Sequence, residues 1–159
     1  MDIKSYVQDL TASARRASAT VAAASTAEKN EVLHRMADLI LENREKIQEA
    51  NRKDLEAGRE AGLSSAMIDR LELTDKRIDG MAGSLVKVAA LKDPVGRIMD
   101  GWTLPNGMKL DKVRVPLGVV CMIFESRPNV TADAASLCLK SGNAVILRGG
   151  KEAIHSNLA

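Results

Sequence analysis

Aromatic side chains are almost absent: the 159 residues hold one Trp, one Tyr and one Phe. A chain so poor in rings has little with which to stack bases, which argues against a single-strand nucleic-acid binder. Charge of one sign is lacking too. The 23 Lys and Arg nearly balance the 21 Asp and Glu, leaving +2, so there is no electrostatic case for nucleic acid or a membrane surface. No long apolar segment occurs, and Met1 leads straight into Asp2 and Lys4 without signal-peptide character. Cysteine is scarce. Cys121 and Cys138 both lie in apolar surroundings, which reads as a reducing, cytoplasmic compartment with no disulfide needed. There is no GxGxxG fingerprint, so any nucleotide must be held differently. His34 has no companion ligand at metal spacing and reads as a surface or boundary histidine.

What the chain does have is concentrated between Val115 and Lys151. The run Val119-Val120-Cys121-Met122-Ile123-Phe124 is apolar without alternation, which suits a parallel strand covered on both faces. Glu125-Ser126-Arg127 and Pro128 stop it. Asn129 can cap a helix whose apolar positions Val130, Ala134, Leu137 and Cys138 share a face. Lys140 suits the last turn and Gly142 the end of that helix. Ala144-Val145-Ile146-Leu147 closes the unit at Arg148-Gly149-Gly150. Strand, helix, strand with short connections is a βαβ unit. Ligands bind outside the carboxyl ends of such strands, here Glu125 to Asn129 and Arg148 to Lys151.

Upstream the pattern is helical. Ile3, Val7, Leu10, Ala14, Ala17 and Val21 recur at one-face spacing. Ser25-Thr26-Ala27-Glu28 is a capping box for a second helix burying Leu33, Met36 and Ile40, and the periodicity resumes at Ile47 and Ala50. Asn51 to Glu60 is a mixed-charge helical face. Ser64-Ser65 starts a short helix with Met67, Ile68 and Leu71, and Thr74-Asp75 caps another running through Ile78, Met81, Leu85 and Ala89. Between Arg97 and Val115 the character changes. Asn106-Gly107 between strand-forming flanks predicts a hairpin, whose exposed edge needs cover.

The segment PLGVVCMIFESRPNVTADAASLCLKSGNAVILRGGKEA resembles the cofactor-domain core of the aldehyde dehydrogenase superfamily. Within it, the ESRPN turn and the SGNAVILRGGKEA block resemble the gamma-glutamyl phosphate reductase branch, and the likeness extends through the amino-terminal helices. The resemblance implies an α/β fold: amino-terminal helices (1–96), a hairpin arm for oligomerisation (97–115) and the first βαβ unit of a Rossmann-like NADP-binding core (116–159). Family members are more than twice this length, and their catalytic cysteine lies downstream of Ala159, so the chain is expected to be an amino-terminal portion, inactive alone.

The implied chemistry is NADPH-dependent reduction of glutamyl 5-phosphate to the 5-semialdehyde with phosphate release, in proline biosynthesis. A cysteine thiolate attacks the acyl phosphate, and reduction of the thioester follows. Neither Cys121, mid-strand, nor Cys138, on a buried helix side, suits that nucleophile. The resemblance places the cofactor, NADP(H), at Glu125, Ser126, Arg148, Gly149, Gly150 and Lys151. Dehydrogenases of the wider family carry a ribose-binding acid where Lys151 stands, and a lysine there favours a 2′-phosphate. Asn129 is a candidate oxyanion donor or a plain helix cap. Arg127 is a candidate contact for the substrate's phosphate or carboxylate, or an ion-pair partner of Glu125. No metal is implied. The implied partners are the small-molecule substrate and further copies of the chain. A CoA-acylating aldehyde dehydrogenase and a non-catalytic assembly module stay open as alternatives.

Overall fold

The structure is a computed structural model and describes residues 2–159. Among the described residues seven α-helices and four strands follow one another in a mixed α/β order. Helix α1 (Ile3–Ala23) is capped by the Asp2 carboxylate. It lies on the later strands only through its second half, where Ala14 and Val21 are half-buried. The face expected to be buried is therefore only partly used, since Ile3, Val7 and Leu10 remain exposed.

Helix α2 (Thr26–Glu42) begins with the expected capping box: Ser25 and Glu28 bond each other's backbone N–H. Helix α3 (Arg44–Glu60) is followed by short α4 (Ser65–Leu71), capped by Ser64, and by α5 (Asp75–Ala90), capped by Thr74. The core forms where α2 packs along α5 and α5 along the helix after β3. It contains Ala37, Leu73, Ile78, Met81, Ala82, Leu85 and Ala132. Leu33, Ile78 and Leu85 are 0% exposed, each worth roughly 1.5–3 kcal/mol in transfer terms.

Buried polar groups brace this layer. Lys29, 1% exposed, pairs with Asp93 at 2.6 Å. Asp93 also accepts from Thr26 Oγ1 and Val95 N, at 2.8 and 2.9 Å. Lys140 donates to Asn30 Oδ1 (2.6 Å) and to the Ala89 carbonyl (2.8 Å). That places a cation at the C-terminus of α5, where the helix dipole favours it. Within the mixed-charge run of α3, Asn51 and Asp54 turn inward and are each 2% exposed.

Strands β1 (Ile98–Thr103) and β2 (Lys109–Val113) form the expected antiparallel hairpin, with Trp102 opposite Leu110. Every β1 residue is exposed. Strands β3 (Val119–Ile123) and β4 (Ala144–Arg148) pair in parallel, from Val119 opposite Ala144 to Ile123 opposite Arg148, and flank helix α6 (Asn129–Lys140). Gly142 ends α6 with φ 75°, and a Cβ there would come within 2.8 Å of Pro116 Cγ.

Three local expectations need correction. Strand β3 is not covered on both faces: Val119, Cys121 and Ile123 are exposed, because α1 and α6 pack mainly over β4. Cys121 is therefore not a buried cysteine, whereas Cys138 is. Asn129 is not the helix cap. Pro128 occupies that position, and the Asn129 side chain instead donates to Asp133 Oδ2 at 3.0 Å.

Candidate functional site

The parallel pairing brings both strand ends to one edge. Phe124 N donates to the Arg148 carbonyl (3.0 Å), so the two turns leave the sheet side by side. The second turn runs through Gly149 and Gly150 into a single 3-10 turn (Lys151–Ala153) and helix α7 (Ile154–Leu158). Ser126 Oγ then donates to Glu152 Oε2 at 2.9 Å, latching the first turn to the second.

Between them lies a cleft of about 540 Å³ lined by Glu125, Ser126, Arg148, Gly150, Lys151 and Glu152, with Met67 of α4 at its side. Five of the six residues expected to hold the cofactor thus share one cavity wall. The sixth, Gly149, packs behind, where a Cβ would meet the Phe124 ring at 3.2 Å and the Asn157 amide. At Gly150 a Cβ would stand 2.6 Å from Glu152 Oε2 and 3.2 Å from Ser126 Oγ. The chain comes this close to its opposite wall only because no side chain is there, which leaves backbone lining the cleft.

Glu152 lines this cleft as well, beside the residues expected there. Its own backbone N–H first, then the Ser126 hydroxyl, hold its carboxyl below the usual range against slight desolvation; Lys151 and Arg148 add to this. Nothing local in the sequence announces the Ser126 latch, because its partners lie 26 positions apart.

Arg127 and Asn129 face a different cleft. It measures about 690 Å³ and lies between the start of α6 and helices α4 and α5, whose Arg70, Arg77, Met81 and Ser84 also line it. Asp133 on the same wall accepts from Asn129 Nδ2 (3.0 Å) and Ser84 Oγ (2.6 Å). Among the described residues the Asn129 amide makes no other hydrogen bond, and Asn129 lines the cleft. The Glu125–Arg127 ion pair, the alternative reading of Arg127, is not formed. Among the described residues no salt bridge engages Arg127. His34 and His155 are both exposed. Among the described residues no cluster of three or more His, Cys, Asp or Glu could hold a metal, and no helix is long and apolar enough to cross a membrane.

A sequence profile of the aldehyde dehydrogenase family matches residues 3–159. The chain belongs to the aldehyde dehydrogenase family. Within that family it is similar to the gamma-glutamyl phosphate reductase of Idiomarina loihiensis, 56% identical over 155 residues. That alignment covers 96% of this chain and 36% of the relative. Two crystal structures of gamma-glutamyl phosphate reductases share the fold. The Thermotoga maritima enzyme superposes with a TM-score of 0.88 at 46% identity, covering 91% of this chain and 35% of its own. The Saccharomyces cerevisiae enzyme gives 0.89 at 37%, covering 94% of this chain and 38% of its own. The chain therefore spans little more than a third of the length of these family members.

Proposed function

We propose that this chain supplies the start of the cofactor domain of an NADPH-dependent enzyme that reduces glutamyl 5-phosphate to glutamate 5-semialdehyde, releasing phosphate, in proline biosynthesis. The observation that carries the reading is the convergence of Glu125, Ser126, Arg148, Gly150 and Lys151 on one cleft at the carboxyl ends of parallel strands. It agrees with the similarity to gamma-glutamyl phosphate reductases.

In this reading the bound nicotinamide cofactor supplies the reducing equivalent, and the chain's residues bind and orient it. The glycine-lined backbone at Gly149 and Gly150 admits the nucleotide closely. Arg148 and Lys151, both exposed, present cations to a 2′-phosphate. Glu152 is drawn towards Ser126, which tempers its repulsion of that phosphate. In the neighbouring cleft the unpaired Arg127 fork suits the substrate's phosphate or carboxylate. The Asn129 amide, fixed by Asp133, suits a developing oxyanion. The nucleophile is neither cysteine of this chain. Cys138 is buried, which pushes its thiol up, and Cys121 sits mid-strand. The hairpin of β1 and β2, with Ile98, Met99 and Trp102 exposed, serves as a contact between copies of a cytoplasmic homo-oligomer.

The test uses a protein of the relatives' length that carries these residues. It should form semialdehyde from glutamyl 5-phosphate with NADPH and not from glutamyl-CoA, and Arg127→Ala should raise the KM for the acyl phosphate at least tenfold. Turnover of the thioester alone would favour a CoA-acylating enzyme instead. The 159-residue chain alone should form no semialdehyde.

A further inference from the structure

We infer that Asp54, buried in α3, is a positioning residue for the nucleotide, acting through the segment that follows Lys151. The inference rests on the cofactor reading of the cleft above. The Asp54 carboxylate accepts the backbone N–H of His155 at 3.1 Å and that of Ser156 at 2.7 Å, and the Ser156 hydroxyl at 2.6 Å. Asn51, one turn earlier, donates to Ser156 Oγ at 3.0 Å, so that hydroxyl accepts from Asn51 and gives to Asp54. Asn51 also holds the chain after α4, donating to the Leu71 carbonyl and accepting from Leu73 N, both at 2.8 Å. Ala153, 0% exposed, packs with Leu55 and Leu71 beside this cluster.

The segment carrying Gly150, Lys151 and Glu152 is thus tethered from several sides, one of them α6, whose Thr131 hydroxyl donates to Asn157 Oδ1 at 2.9 Å. Ser126 holds it from the front through Glu152, and α3 holds it from behind through Ser156. Among the described residues the Asp54 carboxylate has no hydrogen-bond partner besides His155 and Ser156. A buried carboxylate surrounded by donors is costly unless all of them stay in place, so it enforces one position for the turn. The cleft wall inherits that position.

Asp54→Asn keeps the size but sets an amide N–H against donors. In a protein of the relatives' length carrying these residues, it should raise the Kd for NADPH about tenfold. The KM for the acyl substrate should stay within about twofold, since that cleft is lined by α4, α5 and the start of α6, none of which the Asp54 carboxylate bonds. Amide hydrogen exchange should quicken across residues 150–156 and not in α5. Ser156→Ala, which keeps both backbone bonds, should weaken NADPH about threefold and decides the matter if Asp54→Asn does not fold. Arg44→Ala is the control. It breaks the α3 ion pairs to Asp75 and Asp79 and touches nothing at 149–156, so it should lower Tm and leave the NADPH Kd unchanged. Wild-type NADPH affinity in folded Asp54→Asn, or equal weakening in Arg44→Ala, overturns the inference alone. A wild-type protein that binds no NADPH overturns the cofactor reading, and this inference with it.

Discussion

The helical layer from α2 to α5 and the strand region from β1 to β4 treat the same kinds of residue in opposite ways. In the helical layer Leu33, Ile78 and Leu85 are sealed, and even Lys29, Asn51 and Asp54 are buried with every polar side-chain atom partnered. In the strand region Ile98, Trp102, Val119 and Ile123 face outward, and Arg127, Arg148 and Lys151 have no ion-pair partner among the described residues. A buried, satisfied group contributes to stability. An exposed, unsatisfied one is available to something else. The difference separates the part of the chain that holds shape from the part that leaves apolar surface and charge exposed.

Substitutions can break that comparison. The largest effects should fall on the helical layer: Leu85→Ala should cost about 3 kcal/mol in chemical denaturation, by lost burial and a cavity. Lys29→Ala should cost a similar amount, about 3 kcal/mol, because Asp93 loses its main counter-charge. Ile123→Ala, in the strand region, should stay within about 0.5 kcal/mol. Equal losses at Leu85 and Ile123 would erase the distinction.

The next effect is on binding rather than stability. In a protein of the relatives' length, Lys151→Glu should reduce the preference for NADPH over NADH about tenfold, mainly through the KM for NADPH, with Tm unchanged. That preference should also fall as salt rises. Unaltered kcat/KM ratios for the two cofactors would leave Lys151 an ordinary surface lysine.

Smaller still is the contrast between thiols. Cys138→Ala should cost about 1 kcal/mol, and Cys121→Ala less than about 0.5. A thiol reagent under native conditions should modify Cys121 first, because Cys138 is buried and its thiol is pushed up. Mass spectrometry of the labelled chain reads the order, and faster labelling of Cys138 would contradict the packing described for α6.

The finest test is acid stability. Burial opposes ionisation of Asp93, but hydrogen bonds from Lys29, Val95 N and Thr26 outweigh it and hold the carboxyl below its usual range. A depressed native pKa stabilises fully above the unfolded value, near 4, and the contribution disappears as pH falls through the native value. Tm should therefore decline less steeply below about pH 4 in Asp93→Asn than in the wild type.

Much of this division was legible from local pattern. Ser25 with Glu28, Ser64 and Thr74 mark their helix starts because a cap acts within three residues of itself. Asn106-Gly107 marks its hairpin for the same reason, and the two apolar runs mark β3 and β4. What escaped depends on distant partners. Asn51 and Asp54 look solvated in a run of charges, yet they are buried by a segment more than 100 positions away. Cys121 looks buried in its apolar run, yet apolar sequence does not guarantee a covering layer. Asn129 has the right chemistry for a cap, but Pro128 already adopts helical φ and ψ and moves the boundary back by one residue. The candidate site was legible as two polar strand ends. Its division into two clefts, and the part played by Glu152, were not, because both follow from how α4 and α5 lie against the turns.

The bond between Asp54 and Ser156 also has a history in time. A ribosome adding roughly 5–20 residues per second would complete Ser156 about 5–20 s after Asp54. Throughout that interval α3 is already written but its inward carboxylate has only water for company. The nascent helices must wait in a hydrated, loosely docked state, and the turn carrying His155 and Ser156 is what dries them. A contact this distant in sequence is slow to close, so a stall between residues 60 and 150 should leave α3 open to proteases, and emergence of residues 153–156 should protect it.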